Sequence, residues 1–104
     1  MKIFLDTADT DTIRKYFETG LVDGVTTNPS LIMKAGRVPD DVYQEIKDIG
    51  VTDISMEVMG DANEMYNEGL RLVDKFGGVS TIKVPCTREG LKACRAFSEE
   101  KIRT

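Results

Sequence analysis

Four short apolar segments alternate with helical ones along this chain, and that alternation restricts its fold more than any other feature. Lys2–Asp6 reads as a strand, and Thr10–Thr19 follows with helical spacing of Ile13, Tyr16 and Phe17 before Gly20. Val22–Thr26 is a second strand. Its loop carries Asn28-Pro29-Ser30, where Pro29 turns Asn28 away from helix, and Ser30–Ala35 forms a short helical piece. Pro39–Ile49 is the next helix, with Val42, Ile46 and Ile49 in register and Gly50 at its end. Ile54–Met59 is a third strand. Asp61 and Glu64 have the spacing of a capping box, opening a helix that carries Met65, Leu70, Leu72, Val73 and Phe76 and stops at Gly77-Gly78. Val79–Val84 is a fourth strand, ended by Pro85. In the last helix, which starts around Thr87 and Gly90, Leu91, Cys94 and Phe97 share a face, and Lys101–Thr104 reads as the opening of a fifth strand. Strands and helices in this rhythm imply βαβ units and a parallel sheet in one domain spanning residues 1–104. Two closures stay open, a doubly wound sheet and part of a barrel.

Composition narrows the chemistry. The 104 residues contain no histidine, which removes His-ligated zinc, Ser-His-Asp triads and Cys-His pairs together. Any reaction must run on carboxylates, lysine, hydroxyls and amides. A net charge of −4, with both signs mixed throughout, offers no nucleic-acid footprint. A small phosphate-bearing substrate needs only a few placed donors and stays possible. No apolar run has membrane-spanning length, and Met1–Leu5 stops at Asp6 without the layout of a signal peptide, so a cytoplasmic site is the expectation. Cys86 and Cys94 are expected to be reduced thiols, with Cys86 a small buried hydrophobe. No glycine-rich dinucleotide or phosphate loop follows any strand.

Candidate site residues come from position. Each strand ends in a polar or ionisable group: Asp6, Thr26 with Asn28 just beyond, Glu57 and Lys83. The C-terminal ends of parallel strands gather on one rim, so these groups should converge. Side chains alternate along a strand. Asp6 therefore shares a face with Phe4, Thr26 and Asn28 with Gly24, Glu57 with Ser55, and Lys83 with Thr81, leaving the aliphatic residues for the helices. Lys83, between Ile82 and Val84, is costly to desolvate as an ammonium, which favours a nucleophilic amine. A strand-end lysine snorkelling to solvent is the plainer alternative. Likewise Asp6 suits a turn and Glu57 an ion pair with Lys83. Thr26, Thr27, Asn28 and Ser30 suit hydrogen bonds within their loop. Met33, Met56, Met59 and Met65 fit helix–sheet packing.

Phe4-Leu5-Asp6-Thr7-Ala8, Gly24-Val25-Thr26-Thr27-Asn28-Pro29-Ser30 and Ile82-Lys83-Val84-Pro85 resemble, in order and spacing, the small transaldolases and the related fructose-6-phosphate aldolases. The resemblance covers the whole chain but about the first half of that family's barrel, of ~200 residues or more. It implies the first half of a (β/α)8 barrel: four βα units plus the start of strand five. It also implies transfer of a dihydroxyacetone unit between sugar phosphates, as in the pentose phosphate pathway, without metal or organic cofactor. By resemblance Lys83 forms the Schiff base, Asp6 handles the C4 hydroxyl proton, and Glu57 works through a water. Thr26 and Asn28 orient that water and the bound three-carbon unit. Fructose-6-phosphate aldolases usually carry glutamine where this chain has Glu57, which tilts the resemblance to transaldolase.

The family's later strands bring the phosphate-binding serine and arginine and an oligomer-forming helix, none of which these residues supply. A half barrel has two raw sheet edges and an uncovered interior face. The expectation is a truncated or cleaved copy, or a chain that pairs with a second half-barrel or forms a homo-oligomer. A cleaving aldolase and a catalytically dead assembly module are the alternatives to a transaldolase.

Overall fold

Short polar side chains convert the extended chain into helices at the rim of the sheet. In the computed structural model, which describes residues 1–104, Asp9 caps α1 (Thr10–Phe17) by accepting from the N–H groups of Asp11 and Thr12. Asn28 caps α2 (Pro29–Lys34) through Leu31 N–H. α3 (Pro39–Ile49) has no side-chain cap; Pro39 opens it and Gly50, at φ 114°, closes it. Asp61 and Glu64 form the expected reciprocal box on α4 (Ala62–Phe76). The Thr87 hydroxyl accepts from Gly90 N–H on α5 (Arg88–Glu99). Each side-chain cap contributes about 1 kcal/mol.

The strands are β1 (Phe4–Asp6), β2 (Gly24–Thr26), β3 (Ile54–Glu57) and β4 (Ser80–Lys83), all parallel and in the order β1-β2-β3-β4. They are shorter than the sequence pattern suggests. Gly77–Val79 is spent on a 3-10 turn, Met59 leaves the sheet for solvent, and Pro85 lacks the N–H that would extend β4. Sequential order decides between the two closures. When every crossover steps to the next strand with the same hand, all helices fall on one face. A doubly wound sheet reverses direction and covers both. The chain is the first half of a (β/α)8 barrel.

The core lies between that one face and the helices. Val25, Ile54, Met56 and Ile82 point into it and are fully buried with Ile13, Val42, Ile46, Met65, Phe76 and Phe97. Tyr43 meets Phe76 edge-on at 5.7 Å. α4 and α5 approach so closely that a Cβ on Gly69 would sit 2.3 Å from the Phe97 ring. Several expected faces are corrected by the packing. On α5 the inward stripe is Gly90, Ala93 and Phe97, with Leu91 exposed and Cys94 half-buried. Small residues win there because the helix lies too near its neighbours for leucine. Tyr16, Met33 and Met59 are exposed rather than packed. Cys86 is also exposed, because the chain turns outward after Pro85; neither cysteine is in a disulfide.

Beyond α5, Lys101 adopts a left-handed φ of 58° and Ile102 packs against the core. The Ile82 N–H then donates to Arg103 O at 2.8 Å, so the tail lies along the outer edge of β4, where a fifth strand would pair. One such bond is short of a strand. No helix is long and apolar enough to cross a membrane.

Outside the core, Arg71 on α4 grips Asp40 on α3 with both terminal nitrogens, at 2.8 and 2.9 Å, and Lys75 adds a third contact at 2.7 Å. The Arg71 guanidinium holds the Asp40 carboxyl well below the usual carboxylate range. Gly69→Ala forces the Phe97 ring to move and lowers stability by about 1–3 kcal/mol, read from urea unfolding. Because Asp40 binds its proton more weakly folded than unfolded, its contribution is present above about pH 4 and lost as pH falls further. Asp40→Asn therefore lowers the urea midpoint at about pH 7, and the gap to wild type narrows as pH falls below about 4, closing only once the folded Asp40 carboxyl itself takes up its proton.

Candidate active site

Parity and register build the site. With Val25, Met56 and Ile82 turned to the helices, their neighbours in the strands face the opposite, uncovered side. Cα register places Asp6 beside Thr26, Thr26 beside Ser55, Ser55 beside Thr81, and Glu57 beside Lys83. Two layers result. Asp6, Thr26, Ser55 and Thr81 form the lower one. Glu57 and Lys83, with Asn28 two residues beyond Thr26, form the upper one at the rim.

The expected groups meet as two pairs rather than as one cluster. In the upper layer the Lys83 ammonium lies 3.4 Å from Glu57 Oε2 and donates to the Thr27 carbonyl at 3.3 Å. In the lower layer the Thr26 hydroxyl donates to Asp6 Oδ1 at 2.9 Å. No ion pair joins Lys83 to Asp6, since β2 and β3 lie between their strands. Asn28 combines both readings offered by its sequence position. Its Oδ1 is committed to the cap of α2 at 2.9 Å. It also lines, with Pro29, Ser30, Glu57, Met59 and Lys83, a recess of about 460 Å³.

Desolvation of Lys83 by its own chain is not observed. Its side chain is 41% exposed and that of Glu57 17%, because the helices that build the core lie on the far side of the sheet and only the start of α2 reaches the recess. The flanking Ile82 is buried, yet it points away from the amine. What the arrangement supplies is placement: a primary amine at an open recess, a carboxylate beside it, and an amide on the recess wall. Such a set can add to a carbonyl and move the protons of that addition. No group of histidine, cysteine or acidic side chains has the arrangement of a metal site.

Two participants were not singled out from the sequence. The Thr27 carbonyl holds the amine, and backbone acceptors leave no mark in side-chain patterns. Tyr43 stands behind that loop, fully enclosed by α3 and the sheet, and burial pushes its phenol up while the Thr27 hydroxyl beside it acts in the opposite sense. Its position in the inward stripe of α3, next to Val42, was the available signal.

The dual position of Asn28 separates experimentally. Asn28→Ala loses the cap and about 1 kcal/mol of stability, whereas Asn28→Asp keeps an acceptor and stays within a few tenths, as urea midpoints will record.

Comparison with known proteins places these residues in context. A family profile described as Transaldolase/Fructose-6-phosphate aldolase matches residues 3–104. A probable transaldolase of Nitrosopumilus maritimus is 48% identical over 103 residues, covering 98% of this chain and 46% of the relative. One from a Jannaschia species is 52% identical over 101 residues, covering 96% and 46%. One from Caulobacter vibrioides is 49% identical over 105 residues, covering 100% and 48%. The chain thus spans about half the length of the curated relatives it matches.

Proposed function

The chain belongs to the transaldolase/fructose-6-phosphate aldolase family, and on that premise we propose that Lys83 is the amine through which a dihydroxyacetone unit passes between sugar phosphates. The observation that carries this reading is the Glu57–Lys83 pair, adjacent by register and 3.4 Å apart at the recess walled by Asn28. Because these residues span half of the relatives' length, the full reaction is proposed for the protein in which they are joined by the remaining barrel wall, from the same chain or a partner.

The chemistry runs from the amine outward. Neutral Lys83 adds to the C2 carbonyl of a ketose phosphate, and the carbinolamine expels water to give an iminium. Glu57, beside the amine, supplies and recovers the protons of that step through a water. The iminium then accepts the electron pair of the C3–C4 bond while the C4 hydroxyl proton leaves to a base. Asp6 is the proposed base. One of its oxygens accepts from Thr26, which orients the carboxylate and leaves the other free. The aldehyde product departs, and the enamine left on Lys83 attacks a second aldehyde with Asp6 returning the proton. Hydrolysis frees the new ketose and the amine. Asn28, its carbonyl oxygen held by Leu31 N–H, has its amide N–H₂ left for a substrate hydroxyl or the water. Glutamate rather than glutamine at position 57 supports transfer, as in the pentose phosphate pathway, over simple cleavage.

Borohydride added with fructose 6-phosphate is expected to fix a reduced sugar adduct on Lys83, located by peptide mass, and Lys83→Met to abolish it. An unmodified Lys83 in the whole protein ends this reading. Product formation that requires an acceptor aldehyde separates a transferase from a cleaving aldolase.

A further inference from the structure

We propose that Thr27 is a positioning residue for the Lys83 amine, acting through its backbone carbonyl, and that its buried hydroxyl and Tyr43 hold that carbonyl in place. The inference rests on the Schiff-base reading above and adds the device that aims the nitrogen.

The argument begins where the sheet lapses. Thr26 O still receives Thr7 N–H, at 3.1 Å, and Ser55 O receives Thr27 N–H, at 3.4 Å. Continuing the parallel ladder would bring the next N–H of β3 to the Thr27 carbonyl. No backbone N–H reaches it, because β2 ends at Thr26 and the chain turns into the cap of α2. The acceptor left over takes the Lys83 amine from fifty-six positions away, at 3.3 Å. Breaking the ladder one residue early thus creates a fixed acceptor inside the rim of the site.

A peptide at a strand end turns freely unless its residue is anchored. Thr27 is anchored from behind. Its side chain points opposite to Thr26 and Asn28, is fully buried, and donates from Oγ1 to Ser55 O at 3.1 Å, the same oxygen that takes its N–H. The Tyr43 hydroxyl faces the Thr27 side chain, and the Tyr43 ring is wedged edge-on against Phe76. Valine at position 27 would fit the space and keep the burial. It would leave the loop with the single long N–H bond.

Aim matters because a neutral amine has two N–H bonds and one lone pair. With Glu57 taking one hydrogen and the Thr27 carbonyl the other, the lone pair is left for an incoming carbonyl carbon. After water is lost, the iminium nitrogen keeps one N–H, and the same carbonyl can accept it. No covalent bond to Thr27 forms at any stage.

The test uses dihydroxyacetone as the probe, with cyanoborohydride supplying the hydride that converts the iminium to a secondary amine. Adduct formation at Lys83 is followed by mass across a range of pH in wild type, Thr27→Val, Thr27→Ser and Tyr43→Phe. Thr27→Val is expected to slow trapping by about tenfold or more and to displace its pH profile, while Thr27→Ser, which restores Oγ1, stays within about twofold of wild type. Tyr43→Phe is expected to slow trapping in the same direction by a smaller factor. It keeps the ring and so carries the test if the valine variant does not fold. Undiminished trapping with an unchanged profile in folded Thr27→Val, or in Tyr43→Phe where valine fails to fold, overturns the inference alone. Absence of trapping at Lys83 in wild type overturns the Schiff-base reading and this inference with it.

Discussion

The register between β3 and β4 is the constraint on which the site depends. Ser55 sits beside Thr81 and Glu57 beside Lys83, and Val58 N–H donating to Lys83 O at 3.0 Å fixes that alignment at the rim. A slip of one residue would send Lys83 under the helices and bring Ile82 to the recess. The slip is blocked on the other face, where Met56 and Ile82 are fully buried in the core beneath the helices. Burial of such side chains is worth about 1.5–3 kcal/mol each, far more than an ion pair with one partner 41% exposed. The apolar face holds the register, and the register holds the chemistry.

Much of this was legible because side-chain alternation in strands has period two and the helix caps have local chemistry. Asp61 was legible as a cap from its spacing to Glu64, and Asp9, Asn28 and Thr87 act in the same way, since short acceptors satisfy orphan N–H groups wherever they occur. The faces of Asp6, Thr26, Glu57 and Lys83 follow from alternation alone. The local rhythm, which both closures share, did not carry the sequential strand order; the resemblance pointed to the barrel, and the pairing of strands agrees with it.

Misreadings have a common physical source as well. Leu91 looked like a core residue because it is large and apolar, yet α5 turns Gly90, Ala93 and Phe97 inward, with Gly90 pressed against the Pro85 carbonyl and Phe97 against Gly69. Cys86 looked buried because it follows an apolar strand, although Pro85 turns it out. The desolvated lysine was inferred from its sequence neighbours, whose side chains lie on the other face. In each case a property of the immediate sequence was taken for a property of the surroundings, and surroundings are set by the elements that arrive from elsewhere in the chain.

The separation of the site into two layers bears on why the proposed chemistry uses a barrel. Lys83 and Asp6 stand on β4 and β1, three interstrand steps of about 4.8 Å apart, or roughly 14 Å along a flat sheet. Carbons C2 and C4 of a ketose are only two bonds apart. A flat parallel sheet would therefore leave the amine and the carboxylate unable to act on one substrate, whatever their rotamers. Curving the wall shortens the chord between β1 and β4 and turns both side chains inward. The long lysine, starting from the upper layer, would then have the reach to meet the proposed substrate with its C4 hydroxyl near the short Asp6 below. In the proposed chemistry, curvature rather than either residue would set the working distance, so a sequential strand order that lets the sheet curve one way belongs to that proposal as much as the residues do.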